Sequence, residues 1–151
     1  IRVPLLAWWP GNIPEKSTSS HISAHWDFLP TACELAGVET MPANLDGISM
    51  VPTLLDQSQR QKKHRYLYWE FPDRGNKQAI RMGKWKGVRL NLAADPQAPI
   101  ELYDLNKDPG ETNNIAKQQP RIIRRLQPLF ESARTDSPLS PLLGPLASAE
   151  N

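Results

Sequence analysis

The stretch HRYLYWEFPDRGNKQAIRMGKWKGVRLNLAADPQAPIELYDL, residues 64–105, decides the fold. Its first part places Leu67, Trp69 and Phe71 at alternating positions, with tyrosine or glutamate between them. This two-residue period is typical of a strand with one buried face. Further strand-like segments follow at short intervals, and such short connections favour antiparallel pairing.

Two of these strands flank Gly83-Lys84, at residues 78–82 and 85–90. Glycine at the first central position suits a two-residue type II′ turn. Residues 100–105 form a fourth short run, closed by the turn-rich sequence NKDPG. We therefore predict an α+β fold built on a small four-stranded antiparallel sheet.

The composition bounds the class of protein. Fifteen of the 151 residues are proline, about twice the usual share, so short elements joined by loops are expected. The formal net charge of +2 is too small to argue for nucleic-acid binding. No apolar run approaches the ~20 residues of a membrane span. The single cysteine, Cys33, excludes an internal disulfide framework and a cysteine-based zinc site.

The sequence before the sheet predicts a strand, a helix and a loop. Residues 1–9 form a near-continuous apolar run, typical of a strand buried on both faces. Residues 26–36 predict a helix, and Gly37 is placed to end it. Its apolar positions recur at helical spacing: Phe28, Ala32, Leu35 and Ala36. Residues 49–55 predict one or two further helical turns. Because the chain opens on a strand of the buried type, we expect a fragment of a longer protein.

The helix after the sheet shows the strongest periodicity in the chain. We expect it to begin at Pro120, to pack on the sheet, and to be kinked or split near residues 124–127 by Pro128. Residues 112–117 predict a short helix before it, and residues 137–151 predict an irregular tail. The apolar face of the long helix comprises Ile122, Ile123, Leu126, Leu129, Phe130 and Ala133.

Several segments, in order along the chain, carry a resemblance to one family. They are IRVP and WPG within residues 1–11, HWDFLPTACELAG at 25–37, and DGIS at 46–49 followed by Pro52. Further along the chain they are YWEF and KQAIRMGKWK within residues 66–89, then LYDL at 102–105, DP at 108–109 and NIA at 114–116. Together they resemble the formylglycine-dependent sulfatases of the arylsulfatase type, in the alkaline-phosphatase superfamily. The resemblance runs from about residue 1 to about residue 135.

The resemblance implies a domain organisation. Residues 1–60 would be the strand, helix and loop that end a large α/β sulfatase domain. Residues 61–136 would be the C-terminal subdomain, an antiparallel sheet with a packed helix, and residues 137–151 the irregular tail.

The resemblance also implies an enzyme whose catalytic groups lie upstream. Such sulfatases hydrolyse sulfate esters with a formylglycine, made from the cysteine of Cys-x-Pro-x-Arg, and with a bound calcium ion. Cys33 lies in Thr-Ala-Cys-Glu-Leu instead. This chain is therefore expected to hold no catalytic or metal residue and to be inactive alone. The implied partners are the upstream catalytic domain and a sulfated small molecule or glycan. The implied location is periplasmic or secreted, or lysosomal in a eukaryote.

Four residues are candidate substrate contacts, because they end a strand and enter a loop, where specificity residues often lie. They are Glu70, Arg74, Lys77 and Gln78. Ordinary strand-end polarity explains them equally well. A second hypothesis for the whole chain is a stand-alone binding module for anionic glycans or protein partners.

A basic run occupies the same region, with six cations and no acid between Arg74 and Leu90. These charges could bind a polyanionic substrate or pair with acids on neighbouring strands. The predicted hairpin places Arg81 opposite Lys86, and directly opposed like charges are destabilising. We expect a carboxylate, Glu101 or Asp104, rather than an anionic ligand to offset them.

The remaining residues with chemical potential favour structural roles. The three histidines lack the spacing of a metal site and a recognisable carboxylate partner. Asp104, Asp108 and Glu111 do not have the spacing of an EF-hand, and turn formation with helix capping near Thr112 explains them better. Most of the five tryptophans are expected in the core, with one left exposed.

Overall fold

The computed structural model describes residues 3–72 and 74–135. The chain divides into two compact units, residues 1–64 and 65–151. Each unit is described by itself. The predicted irregular tail at 137–151 lies outside the described residues, and the predicted domain boundaries stay predictions.

The second unit is built on an antiparallel sheet with the strand order β1-β2-β3-β4. Its strands are β1 (Leu67–Phe71), β2 (Lys77–Met82), β3 (Trp85–Arg89) and β4 (Glu101–Asp104). The predicted α+β fold with a four-stranded sheet is confirmed.

The β2–β3 hairpin has the predicted register, with Met82 opposite Trp85 and Arg81 opposite Lys86. Gly83 has a φ of +60°, whereas Lys84 is not among the residues with positive φ. A positive φ at the first central position alone is the pattern of a type II′ turn. The two-residue turn is therefore what sets the register.

Helix α3 (Pro120–Ser132) packs on the sheet. Gly87, opposite Ile80, lets the helix approach closely: a Cβ at this position would lie 2.9 Å from Leu126 Cδ1. The periodicity therefore predicted the correct face of α3. The buried core cluster comprises Ile80, Ile100, Leu102, Leu126, Leu129 and Phe130.

Pro128 does not split α3, which is continuous from Pro120 to Ser132. Of the two expected outcomes, the split is wrong, whereas the kink stays a prediction. Proline removes one backbone hydrogen bond within a helix, but Leu126, Leu129 and Phe130 on either side of it are buried. Their packing holds both halves on the sheet. The short helix expected at 112–117 is a 3₁₀ helix at Ala116–Gln118, later than predicted.

Among its described residues, 3–64, the first unit does not contain the predicted strand. Residues 3–9 have no regular secondary structure, and Val3, Leu6 and Trp8 are 85%, 93% and 87% exposed. A strand needs a partner for its backbone groups, and the described part of this unit contains no other strand. Trp8 and Trp9 are both exposed, so the expectation of one exposed tryptophan was too low.

Helix α1 (Phe28–Leu35) follows a 3₁₀ turn at His25–Asp27. Gly37 has a φ of +68°, as its predicted place after the helix requires. The predicted apolar face is wrong, since Phe28 is 65% exposed and Leu35 44% exposed. The helix instead buries Pro30 and Thr31. The reason is the neighbouring segment, where the backbone N–H of Met50 donates to Thr31 Oγ1 at 2.9 Å.

Helix α2 (Val51–Leu54) supplies the helical turn predicted at 49–55. Gly47 lies just before it. A Cβ at Gly47 would be 2.2 Å from the carbonyl oxygen of Trp26, so only glycine allows this backbone approach.

Asp27 is fully buried and receives three sets of hydrogen bonds. The backbone N–H groups of Ala24 and Ile48 donate to it at 2.8 and 2.9 Å. His64 Nε2 lies 2.8 and 3.0 Å from its two oxygens. The sequence shows no recognisable carboxylate partner for His64, because 37 residues separate this pair, and the contact agrees with the structural role expected of the histidines. Burial lowers the pKa of neighbouring His21 below 6.5, although the charge of Asp27 opposes that shift.

Within the described residues, no helix combines the length and the apolar character needed to cross a membrane.

Candidate substrate-facing site at the β1–β2 loop

The four predicted contact residues lie at one end of the sheet. Glu70 and Gln78 are directly opposite each other across β1 and β2. Lys77 opens β2, opposite Phe71, and Arg74 lies in the connecting loop. The structure therefore brings together residues that span nine positions of sequence.

Glu70 and Gln78 belong to a polar network. The hydroxyl of Tyr68 donates to Glu70 Oε1, and Gln78 Nε2 donates to the Tyr68 hydroxyl oxygen at 2.7 Å. Arg134 Nε forms an ion pair with Glu70 Oε1 at 2.7 Å. Gln78 is only 3% exposed. Both predicted residues are thus held in place by neighbours.

Arg89 extends the network to the loop before β4. Its Nη1 reaches Gln78 Oε1 at 3.4 Å, while Nε and Nη2 donate to the carbonyl oxygens of Ala98 and Pro96 at 3.0 and 2.7 Å. One guanidinium therefore joins β2, β3 and residues 96–98.

The pKa of Tyr68 is strongly raised, first by burial and then by its hydrogen bond to Glu70. The hydroxyl therefore keeps its proton and acts as a donor at ordinary pH. In this position Tyr68 donates to Glu70 and orients it.

The loop between β1 and β2 has an unusual backbone. Arg74, Gly75 and Asn76 have φ values of +53°, +89° and +56°, a region that non-glycine residues rarely occupy. The carbonyl oxygens of Asn76 and Gly75 accept hydrogen bonds from Leu92 and Ala93, both at 3.1 Å. Left-handed residues held by their surroundings cluster at binding sites. The backbone of this loop is therefore held in one defined, left-handed conformation.

Arg74 and Lys77 differ from the other two candidates. Arg74 is exposed and Lys77 half-buried. Neither side chain has a hydrogen-bond or ion-pair partner within residues 3–72 and 74–135. Within the described residues, Arg74 in the loop and Lys77 at the start of β2 thus carry unpaired charges beside two residues already held in a network.

The other cations of the basic run have internal partners. Lys84 Nζ pairs with Asp104 Oδ2 at 2.8 Å. Lys86 Nζ lies 2.5 and 2.6 Å from the two oxygens of Glu111. A carboxylate does offset the Arg81–Lys86 opposition, as expected, but it comes from Glu111 in the loop after β4. Among the described residues neither expected carboxylate pairs with Lys86: Asp104 pairs with Lys84 of the same basic run, and Glu101 accepts from the Tyr103 hydroxyl.

A family model, described as N-sulphoglucosamine sulphohydrolase, C-terminal, matches residues 1–135. The chain belongs to this family of sulfatase C-terminal regions. The resemblance to the sulfatases is therefore confirmed.

Relatives of this sulfatase C-terminal chain agree with the family. Human arylsulfatase A is 33% identical, over 85% of this chain and 30% of its own length. The N-acetylglucosamine-6-O-sulfatase of Bacteroides thetaiotaomicron is 31% identical, over 91% of this chain and 26% of its own length. The chain thus spans about a third or less of these relatives.

A solved structure supports the fold. A protein in complex with its substrate D-glucosamine-2-N,6-O-disulfate matches with a TM-score of 0.65 and 28% identity. The match covers 83% of this chain and 26% of the other. The sheet with its packed helix is thus the C-terminal region found in sulfatases.

The described residues of the sulfatase C-terminal chain do not fit the calcium ion or the formylglycine of the family. They contain no group of three or more histidine, cysteine, aspartate or glutamate side chains that could hold a metal. Cys33, half-buried in α1, stands outside the formylglycine motif.

The sequence analysis missed three members of the network. Tyr68 lies two residues before Glu70, so the two-residue period could have placed both on one face. Arg89 lies opposite Gln78 in the hairpin register, which the turn already implied. No local sequence pattern indicates Arg134, because it lies far from Glu70 along the chain and only the packing of α3 brings the two side chains together.

The Asp108 carboxylate accepts hydrogen bonds from the backbone N–H groups of Thr112 and Asn113, at 2.9 and 2.8 Å. The predicted helix capping near Thr112 is wrong, because the 3₁₀ helix begins only at Ala116 and has no side-chain cap at its N-cap residue; Asp108 instead stabilises the loop before it. These N–H donors, that of Asn113 first, lower the pKa of Asp108 below 3.8.

Proposed function

We propose that this chain is the C-terminal part of a sulfatase that hydrolyses sulfate esters of carbohydrates. Its relatives include enzymes named for sulfated sugars, and it spans about a third or less of their length. In this proposal the catalytic residues, the formylglycine and the calcium ion lie in an upstream domain of the same polypeptide. The C-terminal part shapes the substrate pocket.

The observation that carries the proposal is the pair of cations on the β1–β2 loop. Arg74 and Lys77 have no partner within the described residues, while Lys84 and Lys86 are paired. A planar guanidinium and an ammonium are the groups that bind anionic oxygens best. We therefore assign Arg74 and Lys77 to a sulfated or otherwise anionic part of the sugar.

Glu70 and Gln78 complete the proposed contact surface. Tyr68 and Arg134 hold Glu70, and Arg89 lies against Gln78. A side chain held this way loses little freedom when it meets a ligand. Their role would be to accept and donate hydrogen bonds to sugar hydroxyls.

The proposal places the enzyme where sulfated glycans are found. That location is periplasmic or secreted, or lysosomal in a eukaryote. The expected partners are the upstream catalytic domain and the sulfated substrate.

The test compares two substrates on the full-length polypeptide. Replacing both Arg74 and Lys77 with alanine should raise KM for N-acetylglucosamine 6-sulfate about tenfold or more, since hydrogen bonds to charged groups contribute about 1.5–3 kcal/mol. Hydrolysis of p-nitrophenyl sulfate, which has no sugar, should be unchanged. Arg125→Ala, an exposed cation on α3, is the matched control. Equal losses on both substrates would remove the loop from substrate recognition.

A second experiment separates the enzyme from a stand-alone binding module. The 151-residue chain alone, with calcium and p-nitrophenyl sulfate, should release no sulfate, whereas the full-length polypeptide should. If the full-length polypeptide binds sulfated sugars without releasing sulfate, the binding-module hypothesis replaces the enzyme.

A further inference from the structure

A cleft of about 430 Å³ opens in the second unit, at the end of the sheet opposite the β1–β2 loop. Lys84 and Trp85 line it from the β2–β3 turn and the start of β3, and Asp104 from the end of β4. Gln118 and Gln119 line it just before α3. Ligand pockets commonly measure about 300–1,000 Å³, so the cleft can take a small ligand.

Hydrogen bonds hold the walls of this cleft in place. The backbone N–H of Leu105 donates to the carbonyl oxygen of Lys84 at 2.8 Å. Asn114 Oδ1 accepts from the N–H groups of Leu102 and Ala116, at 3.1 and 3.0 Å. The loop after β4 is thus tied to the sheet and to the 3₁₀ helix. A cleft formed in advance costs a ligand less ordering free energy.

The lining residues fall into two groups. Trp85 and Ile115 supply an apolar wall, and both pack against the core cluster. Other lining residues carry polar side chains with no hydrogen bond or ion pair within residues 3–72 and 74–135. These uncommitted side chains are Lys107, Asn113, Gln118 and Gln119.

The cleft lining contains two cations, Lys84 and Lys107, and two carboxylates, Asp104 and Asp108, so its formal charges sum to zero. Lys84 pairs with Asp104 at 2.8 Å and lies 4.4 Å from the centre of the Trp85 ring. The Asp108 carboxylate accepts hydrogen bonds from the backbone N–H groups of Thr112 and Asn113. Lys107 is the lining cation that remains without a partner among the described residues. The cleft therefore offers an apolar wall, three amide side chains and, in a lining of zero net charge, one lysine outside any ion pair among the described residues.

We propose that this cleft is a second saccharide-binding site, for a sugar unit that carries one anionic substituent such as a sulfate ester. The C–H side of the sugar ring packs against Ile115 and the edge of Trp85, since Lys84 Nζ lies over the Trp85 ring face. Amide side chains donate to and accept from hydroxyl groups, and Lys107 meets the anionic substituent. Binding here uses no catalytic group, so the proposal stands apart from the proposed hydrolysis.

The experiment titrates the ¹⁵N-labelled 151-residue chain with N-acetylglucosamine 6-sulfate and, separately, with unsulfated N-acetylglucosamine. Proton–nitrogen spectra resolve the Trp85 indole and the amide side chains of Gln118 and Gln119. We expect saturable shifts of these signals, with the sulfated sugar bound more tightly. Because the chain is tested without the upstream domain, the result does not depend on sulfatase activity.

Two matched variants test the role of Lys107. Lys107→Ala should weaken binding of the sulfated sugar about two- to fivefold, the effect of an exposed ion pair, and leave the unsulfated sugar unchanged. Lys117→Ala, an exposed lysine outside the cleft lining, should change neither. Gln118→Ala should weaken both sugars.

Three results would overturn the proposal. The first is the absence of saturable shifts at Trp85, Gln118 and Gln119 with either sugar. The second is a response confined to residues 72–78, which would assign sugar binding to the β1–β2 loop alone. The third is an equal loss of affinity for the sulfated sugar in Lys107→Ala and Lys117→Ala, which would mean that binding depends only on the net charge of the chain. Failure of sulfate release by the full-length polypeptide would overturn the proposed function and leave this site untouched.

Discussion

The two units bury different kinds of side chain. In the second unit the fully buried large side chains are apolar: Ile80, Leu92, Leu102 and Leu126. In the described part of the first unit the fully buried large side chain is Asp27, and large apolar residues such as Leu6 and Phe28 are exposed. One unit is organised by a hydrophobic core and the other by a carboxylate that collects hydrogen bonds.

The difference follows from where partners lie along the chain. In the second unit, four strands and a helix within about 70 residues supply both sides of one core. Burying one leucine or isoleucine there contributes about 1.5–3 kcal/mol. The first unit has apolar segments but no strand to pair with them among its described residues. Its local order depends on Asp27 and on backbone approach at Gly47.

The largest effect is expected from the core. Leu126→Ala should lower the free energy of unfolding of the second unit by about 2–5 kcal/mol, because it leaves a cavity under α3. Denaturant titration, read by hydrogen exchange of β2 and β3 amides, measures it. Arg125→Ala, next to it on the exposed face, should cost under ~0.5 kcal/mol. Equal costs would mean that α3 does not pack through Leu126.

The next effect concerns the charged pair on the sheet. Glu111→Gln should cost about 1.5–3 kcal/mol, since Lys86, 8% exposed, would lose its carboxylate beside Arg81. The double variant Lys86→Met with Glu111→Gln should recover much of that loss, because it removes the unpaired ammonium. Thermal unfolding of the four proteins measures the coupling. If the loss of stability in the double variant equals the sum of the losses in the two single variants, Lys86 and Glu111 do not form a stabilising ion pair.

A similar or smaller effect tests the polar centre of the first unit. Asp27→Asn should cost about 1–3 kcal/mol, the penalty for leaving buried donors poorly paired. It should raise hydrogen exchange at Ala24 and Ile48 and leave β2 unaffected. Asp46→Asn, an exposed acid in the same unit, is the control. Exchange that rises first in β2 would break the distinction between the units.

The smallest effect is a pH dependence at the turn after β4. The hydrogen bond from Lys84 lowers the pKa of Asp104, and backbone N–H donors lower that of Asp108, both from 3.8. A lowered carboxyl pKa stabilises the fold above the unfolded value, and the contribution is lost as the pH falls through the folded value. Carboxyl carbon shifts should therefore titrate below pH 3.8. Midpoints at or above 3.8 would contradict the observed hydrogen bonds.

The sheet and its helix could be predicted from the sequence because their signals are local. Alternation in β1, Gly83 at the turn and the spacing from Ile122 to Phe130 each act within a few residues. Partners of charged residues could be predicted only in part, since Asp104 does pair with a cation of the basic run, Lys84. Lys86 pairs with Glu111 and not with Glu101, because the loop after β4 returns across the sheet. The path of that loop decides which carboxylate lies near the lysine.

By itself, the sequence determined the strands, the hairpin register, the core face of α3 and the family. The tertiary structure alone decided which residues of the candidate site are held and which are available. Glu70 and Gln78 are joined to Tyr68, Arg89 and Arg134, whereas Arg74 and Lys77 stay without partners among the described residues. The physical reason is range: backbone pattern acts between near neighbours, but a hydrogen bond between side chains forms only where folding brings distant residues within about 3 Å.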